Sequence, residues 1–104
     1  MKNRMRPVHP GEVLREEYLV PLGMSANSLA GALHVPANRI SGIVAGKRSV
    51  TADTALRLAR VFRSTPDFWL NLQQQYDLRV AETTATNIKS IRPVLPLRKP
   101  VVAA

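Results

Sequence analysis

Cysteine is absent from the 104 residues. Disulfides, thiolate metal sites and cysteine nucleophiles are therefore excluded, and the composition fits a reducing cytoplasm. No apolar run reaches the roughly 18 residues needed to cross a bilayer, so no membrane partner is expected. The basic start Met1–Arg6 leads into no apolar stretch and is not expected to act as a signal peptide. Histidine occurs twice, at His9 and His34, with no further ligands at a suitable spacing, so neither a metal nor a cofactor is expected. Glu16 and Glu17 are adjacent and point about 100° apart on a helix, which makes them a solvated face rather than an acid–base pair. Ser25, Ser28 and Ser41 have no histidine relay, and no glycine-rich phosphate loop is present. No enzymatic activity is expected.

Acid is scarce as well. There are 7 Asp+Glu against 15 Lys+Arg, a net charge of +8, and a polyanionic partner follows naturally. The excess is split in two. Residues 1–82 carry all 7 acids and 11 basic residues, while residues 83–104 carry Lys89, Arg92, Arg98 and Lys99 and no acid. Apolar residues make up 45%, enough for one small core whose marginal stability favours association with a second copy.

Periodicity and punctuation predict five helices and no strands. The first starts at Pro10, whose missing N–H costs nothing there, and is ended by Pro21 and Gly23. Ser25 caps the second, Ala26 to about His34, with Leu29, Ala30 and Leu33 inward. Val35-Pro36 separate it from a third helix, about Ala37 to Val44, which Gly46 closes. The fourth follows Thr51 and reaches about Arg63 through Ala55, Leu58, Ala59 and Phe62. Thr65, Pro66 and Asp67 start the fifth, in which Trp69, Leu72, Gln73, Tyr76 and Val80 share a stripe that fades near Glu82. The organisation expected is a basic arm over residues 1–8, an all-α helix-turn-helix domain over 9–82, and a Pro-rich basic tail over 83–104 without regular structure.

The stretch Ser25–Arg48, SANSLAGALHVPANRISGIVAGKR, carries the function. Two short helices joined by a tight turn need a small residue where they cross, supplied by Ala30, and apolar residues facing the domain. Leu29, Leu33, Val35, Ile40 and Ile43 meet that need. The third helix then presents Ala37, Asn38, Ser41 and Gly42 outward with Arg39 beside them, a short polar face without acid that fits the major groove. Asn pairs with adenine and Arg with guanine or phosphate. Lys47 and Arg48, just past the helix, are placed for phosphates.

The same segment resembles the helix-turn-helix of the Xre/Cro/phage-repressor superfamily, the lambda-repressor-like fold. A closer resemblance runs over most of residues 9–80. HPGE at 9–12, Leu14, PLG at 21–23, Asn38-Arg39-Ile40, Gly46-Lys47-Arg48, Thr54 to Ala59 and Phe68 to Gln73 (FWLNLQ) are similar to the HigA family of antitoxins, also described as VapI-like. The resemblance implies a homodimer that binds a palindromic operator in its own promoter and neutralises a HigB toxin, a RelE-like ribonuclease that cleaves mRNA at the ribosome. It places Ala37, Asn38, Arg39, Ser41 and Gly42 at DNA-facing positions, and Ser25, Lys47 and Arg48 at backbone contacts. A stand-alone transcriptional regulator without a toxin is the alternative.

Two departures from the superfamily pattern carry consequences. Ala26 stands where Gln often braces a phosphate, which weakens that clamp. His34 stands where the turn usually holds Gly, and histidine tolerates positive φ better than most residues. Trp69, Leu72, Gln73 and Tyr76 are expected at a dimer seam, setting the two recognition helices about 34 Å apart. Because such toxins are themselves basic, toxin contact is expected at Glu12, Glu16 and Glu17 or through apolar burial.

Overall fold

The computed structural model describes residues 6–96, and within them the fold is five helices without strands. The outer parts of the expected arm and tail, residues 1–5 and 97–104, lie outside the described residues. Helix α1 runs without a break through Pro10–Leu14, the π-helical turn Arg15–Leu19 and Val20–Leu22. Helix α2 is Ala26–Leu33, α3 Ala37–Val44, α4 Ala52–Phe62 and α5 Pro66–Thr84.

Local chemistry explains most of these limits. The side-chain oxygens of Ser25, Thr51 and Thr65 accept the backbone N–H of Ser28, Thr54 and Phe68, so each satisfies a donor that its helix leaves unpaired. His9 caps α1, its ring Nδ1 accepting the Gly11 N–H at 2.9 Å. His34 takes the left-handed conformation at φ 60°, and the Val35 N–H turns back to the Ala30 carbonyl at 3.1 Å. The turn of the motif therefore closes on a left-handed histidine. Gly46, at φ 76°, follows α3 as expected.

One boundary needed more than local signals. Pro21 was expected to help end the first helix, yet α1 passes through it to Gly23. The π turn just before supplies the reason. Val20 N–H bonds to the Arg15 carbonyl, five residues back. That wider turn displaces the carbonyls that the Pro21 ring would otherwise strike.

The core is the inner face of all five helices. Leu14, Leu29, Ile40, Ala55, Leu58 and Trp69 are completely buried, and Leu19, Ala30, Leu33, Ile43 and Val50 nearly so. Tyr18, Phe62 and Phe68 surround Trp69 with ring centroids 5.2, 6.4 and 5.0 Å away. The indole N–H, which must find a partner when buried, donates to Ser64 Oγ at 2.9 Å. Gln73 is the other buried polar group on α5. Its Oε1 accepts the Val50 N–H at 2.8 Å and its Nε2 donates to Asp77 at 2.9 Å. This ties the loop after α3 to α5.

Of the residues expected at a dimer seam, Trp69 has no exposed surface and Gln73 only 6%. Both bind the monomer together; Leu72 and Tyr76, half-buried, keep some surface. Helix α5 continues two residues past Glu82, and a turn follows in which Ser90 N–H reaches the Asn87 carbonyl at 3.3 Å and Ile91 N–H that of Ile88 at 3.1 Å.

Candidate DNA interface

Helices α2 and α3 form the helix-turn-helix, with Leu29, Ala30, Leu33, Ile40 and Ile43 holding it to the domain. That inward set leaves the opposite side of α3 to solvent. Ala37, Asn38 and Ser41 are exposed there, and Lys47 and Arg48 are exposed just beyond. Ser25 is exposed too, but its hydroxyl is engaged as the cap of α2, with Asn27 and Ser28 open in the first turn.

Two expected readers stand differently from a simple outward face. Gly42 is half-buried beneath Arg48: a Cβ built on Gly42 would come within 2.5 Å of Arg48 Cδ and 2.7 Å of its Cγ. Glycine here is a seat that lets the aliphatic stem of Arg48 lie across α3, and the exposed cation is thereby brought over the recognition helix. Gly42 contributes the space for that stem. The Gly42 carbonyl also accepts the N–H groups of Lys47 and Arg48 at 2.8 and 3.1 Å, which folds both cations back towards α3.

Arg39 is the second case. Its Nη1 donates to Asp53 Oδ2 at 2.6 Å, and its side chain is one-third exposed. The same oxygen accepts from Arg57 Nε at 2.9 Å, and Arg57 Nη1 donates to the Leu33 carbonyl at 2.9 Å. These two guanidinium groups, Arg57 first, hold the Asp53 carboxyl below its ordinary range. Asp53 and Arg57 went unnoticed in the sequence as site residues. The signal available was an acid in the first turn of α4 with a cation four residues on, which reads as ordinary helix stabilisation.

The position of α3 itself depends on its contact with α1. A Cβ built on Gly11 would lie 1.8 Å from the Ile43 carbonyl oxygen and 2.6 Å from its carbon. Only glycine allows α1 to approach the recognition helix this closely. His9 braces the same junction. Its ring makes an edge contact with Tyr76 of α5 at 4.8 Å. Burial lowers its pKa below the ordinary 6.5, against the opposing effects of the Arg48 backbone and the Asp77 charge.

The acids expected at a toxin contact are partly engaged within the chain. Glu12 receives two bonds from Arg6, at 2.9 and 3.1 Å, and Glu16 pairs with Arg15 at 2.9 Å, while Glu17 is exposed. None of the described helices is long and apolar enough to cross a membrane.

Comparison with known proteins agrees with this geometry. Residues 14–69 match the helix-turn-helix family. Virulence-associated protein I of Dichelobacter nodosus is 54% identical over 93 residues, 89% of this chain and 86% of that protein. An addiction-module antidote protein of the HigA family from Coxiella burnetii superposes with a TM-score of 0.77 at 51% identity, over 85% of this chain and 98% of that one. The Pseudomonas aeruginosa antitoxin HigA, solved with the higBA promoter, gives a TM-score of 0.77 at 44% identity, over 86% of this chain and 100% of that one. An exposed polar α3 on a buried helix-turn-helix frame, together with these relatives, establishes that the chain belongs to the helix-turn-helix family, in its HigA antitoxin branch.

Proposed function

We propose that this protein is a sequence-specific DNA-binding antitoxin that represses its own operon and neutralises a HigB-like toxin. The observation that carries the DNA part is the outward face of α3. Asn38 and Ser41 stand exposed on a helix whose other side is anchored in the core, and Lys47 and Arg48 are drawn back over the helix end. A rigid short helix with small polar side chains enters the major groove, and flanking cations engage phosphates. A relative 44% identical, the Pseudomonas aeruginosa antitoxin HigA, was solved with the higBA promoter.

In this reading Asn38 contacts a base, with adenine its best partner, Ala37 and Ser41 line the groove, and Ser25, Lys47 and Arg48 face the backbone. Only a few side chains reach bases, so one half-site binds weakly. A two-fold dimer on a palindromic operator multiplies that weak reading. Its seam must use surface that the monomer leaves open. On α5 that means Leu72, Tyr76 and Leu78 (49% exposed), not Trp69 or Gln73.

Band-shift titration on the DNA directly upstream of the coding sequence tests the repressor role. Binding should prefer that DNA to a scrambled duplex, weaken with salt, and lose preference in Asn38→Ala by about 1–3 kcal/mol at one base position. Absence of sequence preference in the wild type would refute it. Co-expression with the protein encoded next to this one tests the antitoxin role: growth should be rescued, and failure of rescue leaves a stand-alone regulator.

A further inference from the structure

Across residues 18–66, which contain the whole helix-turn-helix, Asp53 is the single acidic residue. It pairs with Arg39 and Arg57 in a stretch that also carries Lys47, Arg48, Arg60 and Arg63, where a negative charge opposes attraction to phosphate. Its stability benefit is a weak reason for its presence. The ion pairs are largely solvent-exposed, with 54% of the Asp53 side chain open, and such pairs contribute little. A negative group in the first turn of α4 is favourable, but that benefit does not require a partner on another helix.

Geometry supplies another reason. Asp53 Oδ2 receives Arg39 Nη1 at 2.6 Å from the recognition helix and Arg57 Nε at 2.9 Å from its own helix. Arg57 is in turn anchored to the Leu33 carbonyl at the end of α2. One carboxylate oxygen thus fastens the Arg39 side chain to all three helices around the reading surface. The clamp uses one arm of the guanidinium and leaves its other N–H groups without a partner among the described residues. A free arginine samples many rotamers, and fixing it in advance lowers the cost of a directed contact.

We infer that Asp53 is a positioning residue for DNA recognition: it holds Arg39 in one orientation beside the Asn38–Ser41 face and restrains unselective attraction to phosphate. This rests on the DNA-binding reading above. Asp53 itself touches no base; it acts through Arg39.

The test is fluorescence anisotropy on two duplexes of equal length and composition, the DNA directly upstream of the coding sequence and its scramble. Asp53→Ala should bind the scramble several-fold tighter, with a salt slope steeper by about one. The upstream-to-scramble affinity ratio should fall about tenfold, within the range a directed arginine–base contact supplies. In an Arg39→Ala background the same change should leave the ratio unaltered. Asp53→Asn, which keeps the shape but loses the charge that draws both guanidinium groups, gives the same readings at reduced size if the alanine variant melts too low. A role confined to steadying α4 would weaken both duplexes together and keep the ratio, and that result overturns the inference. So does a ratio that falls equally with and without Arg39. A wild type without preference for the upstream DNA removes the DNA-binding reading and this inference with it. A wild-type preference that Asp53→Ala and Asp53→Asn leave intact removes the inference alone.

Discussion

Replacing Gly11 by alanine sets two effects of opposite sign against each other. In an isolated helix Ala is better than Gly by about 0.8–1.0 kcal/mol. In this fold the added Cβ would sit 1.8 Å from the Ile43 oxygen and 3.0 Å from Val44 Cα. Both obstacles are backbone, so no rotamer change relieves them. Restoring ordinary contact requires α1 and α3 to part by more than about 1 Å, and a gap of that size forfeits a quarter to a half of each dispersion contact across it. A buried leucine makes some 40–60 contacts of about 0.1–0.2 kcal/mol. Loosening one such side chain, as the parting would do to the fully buried Leu14 and Ile40, therefore costs about 2–4 kcal/mol. Subtracting the propensity gain leaves a loss of about 1–3 kcal/mol, the usual size for an overpacked core, or a melting point lower by roughly 5–20 °C. Gly31 on α2 is the internal control, since a Cβ there meets nothing within 4 Å. Gly31→Ala should melt at or slightly above wild type. Calorimetry on the two variants decides the matter. A Gly11→Ala protein as stable as Gly31→Ala would refute the reasoning, because propensity alone would then account for both.

Three further outcomes are expected. Gln73→Leu removes the acceptor of the buried Val50 N–H and should cost about 1–3 kcal/mol in urea unfolding, more than a volume change alone at that site. Lys47→Ala should weaken binding to upstream and scrambled duplexes alike and reduce the salt slope by about one, with the melting point unchanged, since the residue is exposed. His9 should make stability depend on pH. Burial lowers its folded pKa below 6.5, so the unfolded chain takes up the proton first. The stability that the neutral ring contributes is complete above about pH 6.5 and is lost as pH falls from there through the folded value. Protonation also removes the Nδ1 acceptor used by the Gly11 N–H. Melting curves from about pH 7.5 down to about pH 5 should therefore fall more steeply for wild type than for His9→Asn, which keeps a cap acceptor but does not titrate.

The helix limits were legible because their causes are local. Ser25, Thr51 and Thr65 each bond an N–H three residues away, and a turn that ends on His34 or Gly46 depends on one residue's backbone freedom. The inward face of the motif was legible for the same reason: the helical period alone puts Leu29, Leu33, Ile40 and Ile43 on one side. Polarity and the absence of acid on α3 then sufficed to mark an exposed polar face at Asn38 and Ser41. The continuation of α1 through Pro21 was not legible, because periodicity assumes an α-helical turn and the chain used a π turn.

What the sequence by itself determined was the set of helices, their caps and the polar face of α3, since these follow from interactions within a few residues. Tertiary structure alone decided which of those residues remain available. Asp53 meets Arg39 across 14 positions and Gln73 meets Val50 across 23, and no local pattern encodes such pairings. Only packing shows that Trp69 and Gln73 are spent inside the monomer, that Gly42 is the seat of Arg48, and that Gly11 lets α1 touch α3. The physical reason is common to all four. A stripe on a helix specifies a direction, but the neighbour met in that direction, and hence burial, pairing and reach, is set by how the helices come together.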